Sequence, residues 1–130
     1  VSYGTDLSAS LAEEVLGWHK GKGDLWWRKG SVTGLRIARK VTHVPILGYF
    51  RPDVNLFHVQ LCVAVVEGRG GAMTYGFPSG GKFRVDMELD GIPATHCVTP
   101  DETLSGETTE AIAETTLALW RAADEAAKTR

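Results

Sequence analysis

The chain has 130 residues, 43% hydrophobic and 23% charged, with a formal net charge of −2. That composition is ordinary for one soluble globular domain spanning residues 1–130, large enough to bury a core without disulfide or metal staples. No apolar run approaches the ~20 residues of a membrane span, and the N-terminal Val-Ser-Tyr-Gly-Thr-Asp lacks the apolar core of a signal peptide.

The near-neutral total conceals a split. From His19 to Arg51 the cations Lys20, Lys22, Arg28, Lys29, Arg36, Arg39, Lys40 and Arg51 face one acid, Asp24, for a net of +7. From Val85 to Arg130 ten acids face three cations, for a net of −7. Such asymmetry points either to an anionic partner or to pairing of the two parts within or between chains. Cys62 and Cys97 read as buried thiols of a reducing compartment, so the expected location is cytoplasmic.

In chain order, the first predicted element is a helix over 7–18. Asp6 or Ser8 is the expected cap, Leu11, Val15 and Trp18 form one apolar stripe, and Gly21 is the expected stop. Residues 25–29 predict a strand in which Trp26 and Trp27 alternate faces. Between Ser31 and Phe50 the apolar residues keep no period, and Pro45 and Gly48 interrupt any long element. One or two short strands are expected there.

Residues 53–67 fit two patterns. Phe57, Val59, Leu61, Val63 and Val65 alternate as in a strand. Val54, Phe57, Leu61, Ala64 and Val65 share a helical face, and Leu56, Val59, Val63 and Val66 make most of the remainder apolar. Length favours a helix, with Asp53 as cap and Gly68, Gly70 and Gly71 as the stop; the β-branched valines favour a strand. Residues 73–77, 83–90 and 92–98 then predict an antiparallel meander. Phe83, Val85, Met87 and Leu89 point inward, and Arg84, Asp86, Glu88 and Asp90 point outward. A last helix is expected over 107–128, with Ile112, Ala113, Thr116, Leu119, Trp120, Ala123 and Ala127 on its packed side. The fold class is therefore α+β: an antiparallel sheet of three to five strands with about three packed helices, in the order α-β-α-β-β-β-α.

Three pieces of the chain resemble the phage ABA sandwich domain family of small phage-encoded proteins. Leu11-Ala12-Glu13-Glu14-Val15-Leu16-Gly17-Trp18 is similar to the family's opening helix. Phe50-Arg51-Pro52-Asp53-Val54-Asn55 is similar to the stretch before its central helix, although the family's Ser-Thr pair is missing here. Ala111-Ile112-Ala113-Glu114-Thr115-Thr116-Leu117-Ala118-Leu119 is similar to its closing helix. The resemblance implies a helix at 53–67, a phage or prophage origin and a host-cytoplasm location. It lends no catalytic residue, and it does not cover residues 19–49.

The remaining motifs read as structure. Gly76-Phe77-Pro78-Ser79-Gly80-Gly81-Lys82 has P-loop spacing, but Phe83 stands where Ser or Thr is needed and a strand follows instead of a helix. The outward acids of residues 86–90 diverge on a pleated face rather than converging on a cation. His96 and Cys97 are adjacent in a strand and point to opposite faces. His19, His43 and His58 show no ligand spacing, and no cofactor motif stands out.

The basic stretch differs because Trp18, Trp26, Trp27, Tyr49 and Phe50 interleave its cations. Charge neutralisation plus stacking rings is what a nucleotide or single-stranded nucleic acid requires. The candidate binding residues are Lys20, Lys22, Trp26, Arg28, Lys29, Arg36, Arg39 and Lys40, and the candidate partners are nucleic acid, a nucleotide or a second copy of the chain. The reading is a non-enzymatic accessory protein acting by binding or self-association. The alternative is a small hydrolase or transferase whose site the sequence does not bring together.

Overall fold

The computed structural model describes residues 5–20, 25–27, 34–36, 50–79, 81–99 and 106–129. The chain is α+β, and its core is a three-stranded antiparallel sheet with helices on one face. The strands are β4 (Ala72–Ser79), β5 (Lys82–Leu89) and β6 (Ile92–Val98), in that spatial order. Three shorter strands precede them: β1 (His19–Lys20), β2 (Leu25–Trp27) and β3 (Gly34–Arg36), which form a separate antiparallel sheet. The expected strand at 25–29 is present as β2 up to Trp27, and Arg28 and Lys29 lie outside the described residues.

The meander follows its alternating pattern. Phe83, Val85, Met87 and Leu89 on β5 are buried, while Arg84 and Glu88 are exposed. Burying each such apolar side chain contributes about 1.5–3 kcal/mol. Asp90 (φ 54) and Gly91 (φ 79) both take left-handed conformations, which match a two-residue hairpin turn to the strand twist. The P-loop spacing is a β-hairpin, as strand chemistry required: Gly76 and Ser79 lie in β4, and Lys82 opens β5.

Helix α1 (Thr5–Ser10) runs directly into a π-helical turn, Leu11–Val15. Leu16 N–H donates to Leu11 O at 3.0 Å, and Trp18 N–H closes back on Ala12 O at 2.9 Å. The wider turn still delivers Leu11, Val15 and Trp18 to the core, all at most 6% exposed. Two expectations change here. The stop is Gly17 (φ 68) rather than Gly21, and Asp6 and Ser8 lie inside the helix instead of capping it.

The ambiguous central segment is helix α2 (Leu56–Gly68). Its cap is Asn55, not Asp53: the Asn55 side-chain oxygen accepts from the Phe57 and His58 N–H groups at 2.9 and 3.3 Å. Residues 51–54 form a turn first, with Val54 and Asn55 N–H both reaching Arg51 O, so the helix opens two residues later than the Pro-Asp pair implies. The buried side is Val59, Cys62, Val63 and Val66, whereas Phe57 is 85% exposed.

Helix α3 (Gly106–Lys128) packs on β5 and β6 and also against α1, its π turn and α2. It is therefore buried more widely than a one-sided surface helix. Ala111, Thr115 and Leu117 are buried as well as Ile112, Ala113, Thr116 and Leu119. Ala127, expected on the packed side, is exposed because it lies in the last turn. Thr115 and Thr116 hydroxyls donate to the Ala111 and Ile112 carbonyls at 2.7 Å, and Thr116 Oγ1 also lies 3.5 Å from Met87 Sδ. Among the described residues no helix is long and apolar enough to cross a membrane.

Candidate functional site

The basic stretch begins and ends in the core. Trp18 is 6% exposed and Phe50 is fully buried, with ring centroids 4.9 Å apart. Neither ring is a stacking platform for a ligand: Trp18 holds the packed position its apolar stripe predicts, and Phe50 is withdrawn from the interleaved aromatics. Arg51 is likewise committed. Its Nε and Nη2 donate to the two carboxylate oxygens of Asp53 at 2.8 and 2.7 Å, and both side chains are largely buried. The hydrogen bonds that Arg51 donates to Asp53 raise the Arg51 pKa. The other seven cations of the stretch remain the candidates, together with Trp26.

Between these anchors the small sheet sets the candidates in register. Lys20 on β1 lies opposite Trp26 on β2, and His19 lies opposite Trp27. Trp26 in turn lies opposite Leu35 on β3, and Arg36 lies opposite Leu25. Backbone pairing therefore brings three of the eight candidates, Lys20, Trp26 and Arg36, into one sheet. Lys22, Arg28, Lys29, Arg39 and Lys40 lie outside the described residues.

The acidic half has partners of its own. Asp86 accepts from Arg84 at 2.9 and 3.1 Å and from Thr95 Oγ1 at 2.8 Å, and its pKa is lowered chiefly by Arg84. Asp90 pairs with Arg69, whose guanidinium also lies over the Trp120 ring. Asp124 pairs with Lys128. None of these three cations belongs to the 19–51 stretch. Glu14 takes both Arg121 nitrogens at 3.0 and 2.8 Å, which lowers its pKa and ties the π turn to α3. These exposed pairs orient elements and add little stability.

His58 sits beside the Arg51–Asp53 pair. Its Nδ1 accepts the Arg51 backbone N–H at 2.8 Å, and its ring centroid is 5.4 Å from that of Phe50. An accepting Nδ1 requires the neutral ring. Burial lowers the His58 pKa below 6.5, outweighing the opposite pull of Asp53. A depressed folded-state pKa means stability is complete above about 6.5 and falls as pH drops through the folded value. The thermal midpoint should therefore fall between pH 7 and pH 5, and His58→Gln should flatten that slope. An unchanged slope in the variant would remove His58 as its source.

The other candidates do not converge. His96 is half-buried on the inner face opposite Val85, and Cys97 is exposed on the outer face opposite Arg84. The expectation that both cysteines are buried holds only for Cys62; Cys97 occupies an outward position of edge strand β6, with no layer over it among the described residues. Burial pushes the Cys62 thiol up to about 12, so it stays protonated and unreactive. Asp86, Glu88 and Asp90 do not form a cluster: Asp90 lies in the turn. Among the described residues no group of three or more His, Cys, Asp or Glu is placed to hold a metal ion. A depression of about 360 Å³ between β6 and α3 is lined by His96, Val98, Thr99, Glu110, Ala111 and Glu114.

Sequence reasoning missed one surface. Tyr75 and Phe77 are 53% and 62% exposed although they alternate in phase with inward Met73. Among the described residues, nothing covers these two rings enough to bury them. Their uncharged strand was the available signal. No protein-family model, curated protein or solved structure matches the chain.

Proposed function

We propose that this protein works by binding rather than catalysis, as a phage or prophage accessory protein, with the basic-aromatic stretch as the surface for an anionic ligand. Single-stranded nucleic acid or a nucleotide fits its chemistry. The carrying observation is the register of the small sheet, in which Lys20 lies opposite Trp26 on one face, while Arg36, opposite Leu25, takes the other face with Trp27. A sheet that sets cations beside aromatic positions offers phosphate neutralisation and base stacking together. Asp86, Asp90 and Asp124 pair with cations outside the stretch, so these three acids do not serve as its internal partners. The family resemblance supports the phage setting.

Titration of a labelled single-stranded oligonucleotide and a nucleotide panel at two salt concentrations tests this. Three to six phosphate contacts predict a slope of log affinity against log salt between about −2 and −4. Arg39→Glu with Lys40→Glu should shrink that slope by one to two contacts' worth, and Trp26→Ala should weaken binding about tenfold while leaving the slope intact. Absence of binding at low salt sinks the reading.

A further inference from the structure

Among the described residues, no strand pairs with the side of β4 that faces away from β5. β4 is an edge strand of the main sheet, with β5 on its other side. Edge strands usually carry a charge that discourages pairing. From Ala72 to Ser79 the sequence is Ala-Met-Thr-Tyr-Gly-Phe-Pro-Ser, with no charge. The ladder to β5 is regular from Ala72 to Gly76 and shifts only beyond it, toward Pro78. Tyr75 and Phe77 stand half or more exposed, with ring centroids 5.9 and 5.4 Å from that of Phe83. They are apolar surface at the rim of the core.

We propose that β4 pairs antiparallel with β4 of a second copy, joining two three-stranded sheets into one of six. A two-fold axis beside Tyr75 sets the two Tyr75 residues opposite each other and Met73 opposite Phe77 twice. It uses only Met73–Phe77 and leaves Pro78, which has no N–H to donate, outside the pairing. The electrostatics permit self-pairing. An identical strand brings like next to like, which repels when the strand is charged and costs nothing when it is neutral. Aromatic–aromatic and Met–aromatic neighbours are favourable across such a pair. One short strand per copy is a small interface, so the dimer should form with a Kd on the order of 10–100 μM. The proposal stands independently of the anion-binding reading.

Sedimentation equilibrium of the full chain, in the absence of nucleic acid, tests it. The wild type should pass from monomer to dimer as concentration rises from about 1 to 500 μM. Tyr75→Lys and Tyr75→Glu should each sediment as monomers, since each sets like charges face to face. Their equimolar mixture should dimerise again. A wild type that stays monomeric, a variant that dimerises as well as the wild type, or a mixture that fails to associate overturns the proposal. Amide exchange on the wild type checks the same surface without substitution. Protection should rise with concentration at Met73–Phe77, and a rise confined to β6 overturns the pairing.

Discussion

Phe50→Ala is expected to cost about 3–5 kcal/mol of folding stability, among the largest losses from one substitution. Phe50 is fully buried between the Trp18 ring, 4.9 Å away, and the His58 ring, 5.4 Å away. Truncation removes its transfer free energy and leaves a cavity lined by rings that cannot collapse into it. It also loosens the corner where the Arg51 N–H meets His58 and the Arg51–Asp53 pair is buried. Urea denaturation checks this: the midpoint should fall with the m-value unchanged. Phe50→Leu, which keeps most of the volume, should cost far less, about 1 kcal/mol. A loss below about 1 kcal/mol for the alanine variant contradicts a core role. If Phe50 instead stacked on a ligand, the alanine variant would keep its stability and lose oligonucleotide affinity.

Gly71→Ala is expected to cost about 2–4 kcal/mol, although it adds a single methyl group. A Cβ at this position stands 2.5 Å from Val66 Cγ1, 2.7 Å from Glu88 O and 2.9 Å from Val66 O. Two of those neighbours are backbone oxygens that cannot rotate away. The Gly71 N–H already donates to Val66 O at 2.9 Å, so the methyl must push α2 and β5 apart or break that bond. The nearby Gly68→Ala is the control. Its Cβ meets nothing within 4 Å, and it sits in the last helical position. It should be neutral or stabilising by up to ~1 kcal/mol. The measurement is the thermal midpoint of both variants, with Gly71→Ala lower by roughly 10 °C. Equal midpoints would mean that α2 and β5 are not held at this spacing.

Some of this was legible in the residues. The meander was, because β5 alternates perfectly and its apolar phase admits only one inward face. The closing helix was, because its charged stripe and apolar stripe differ. The opening helix was legible in its stripe but not in its geometry: the π turn at Leu11–Val15 and the early stop at Gly17 have no periodic signature. Asp53 illustrates a second limit. Pro52-Asp53 has the composition of a helix start, yet the carboxylate is drawn to Arg51 two residues away, and Asn55 is left to cap α2. Local capping preference and ion pairing compete for the same side chain, and composition does not rank them.

The candidate binding residues show the same division. Their charge excess was visible in the sequence, and so was the interleaving of rings. Trp26, Trp27 and Phe50 look alike in that list, whereas the stripe of the first helix already set Trp18 apart. Burial separates Trp18 and Phe50 as core, while register places Trp26 opposite Lys20.

By itself the sequence determined the α+β class, the meander and the charge split, because each follows from short-range periodicity or simple counting. Tertiary structure alone decided which side of α2 is buried. That helix is apolar nearly all round, so no stripe directs it, and only packing on α3, β4 and the π turn selects Val59, Cys62, Val63 and Val66 over Phe57. Tertiary structure also decided that Tyr75 and Phe77 remain open, since the reach of a helix over a strand depends on where distant elements end.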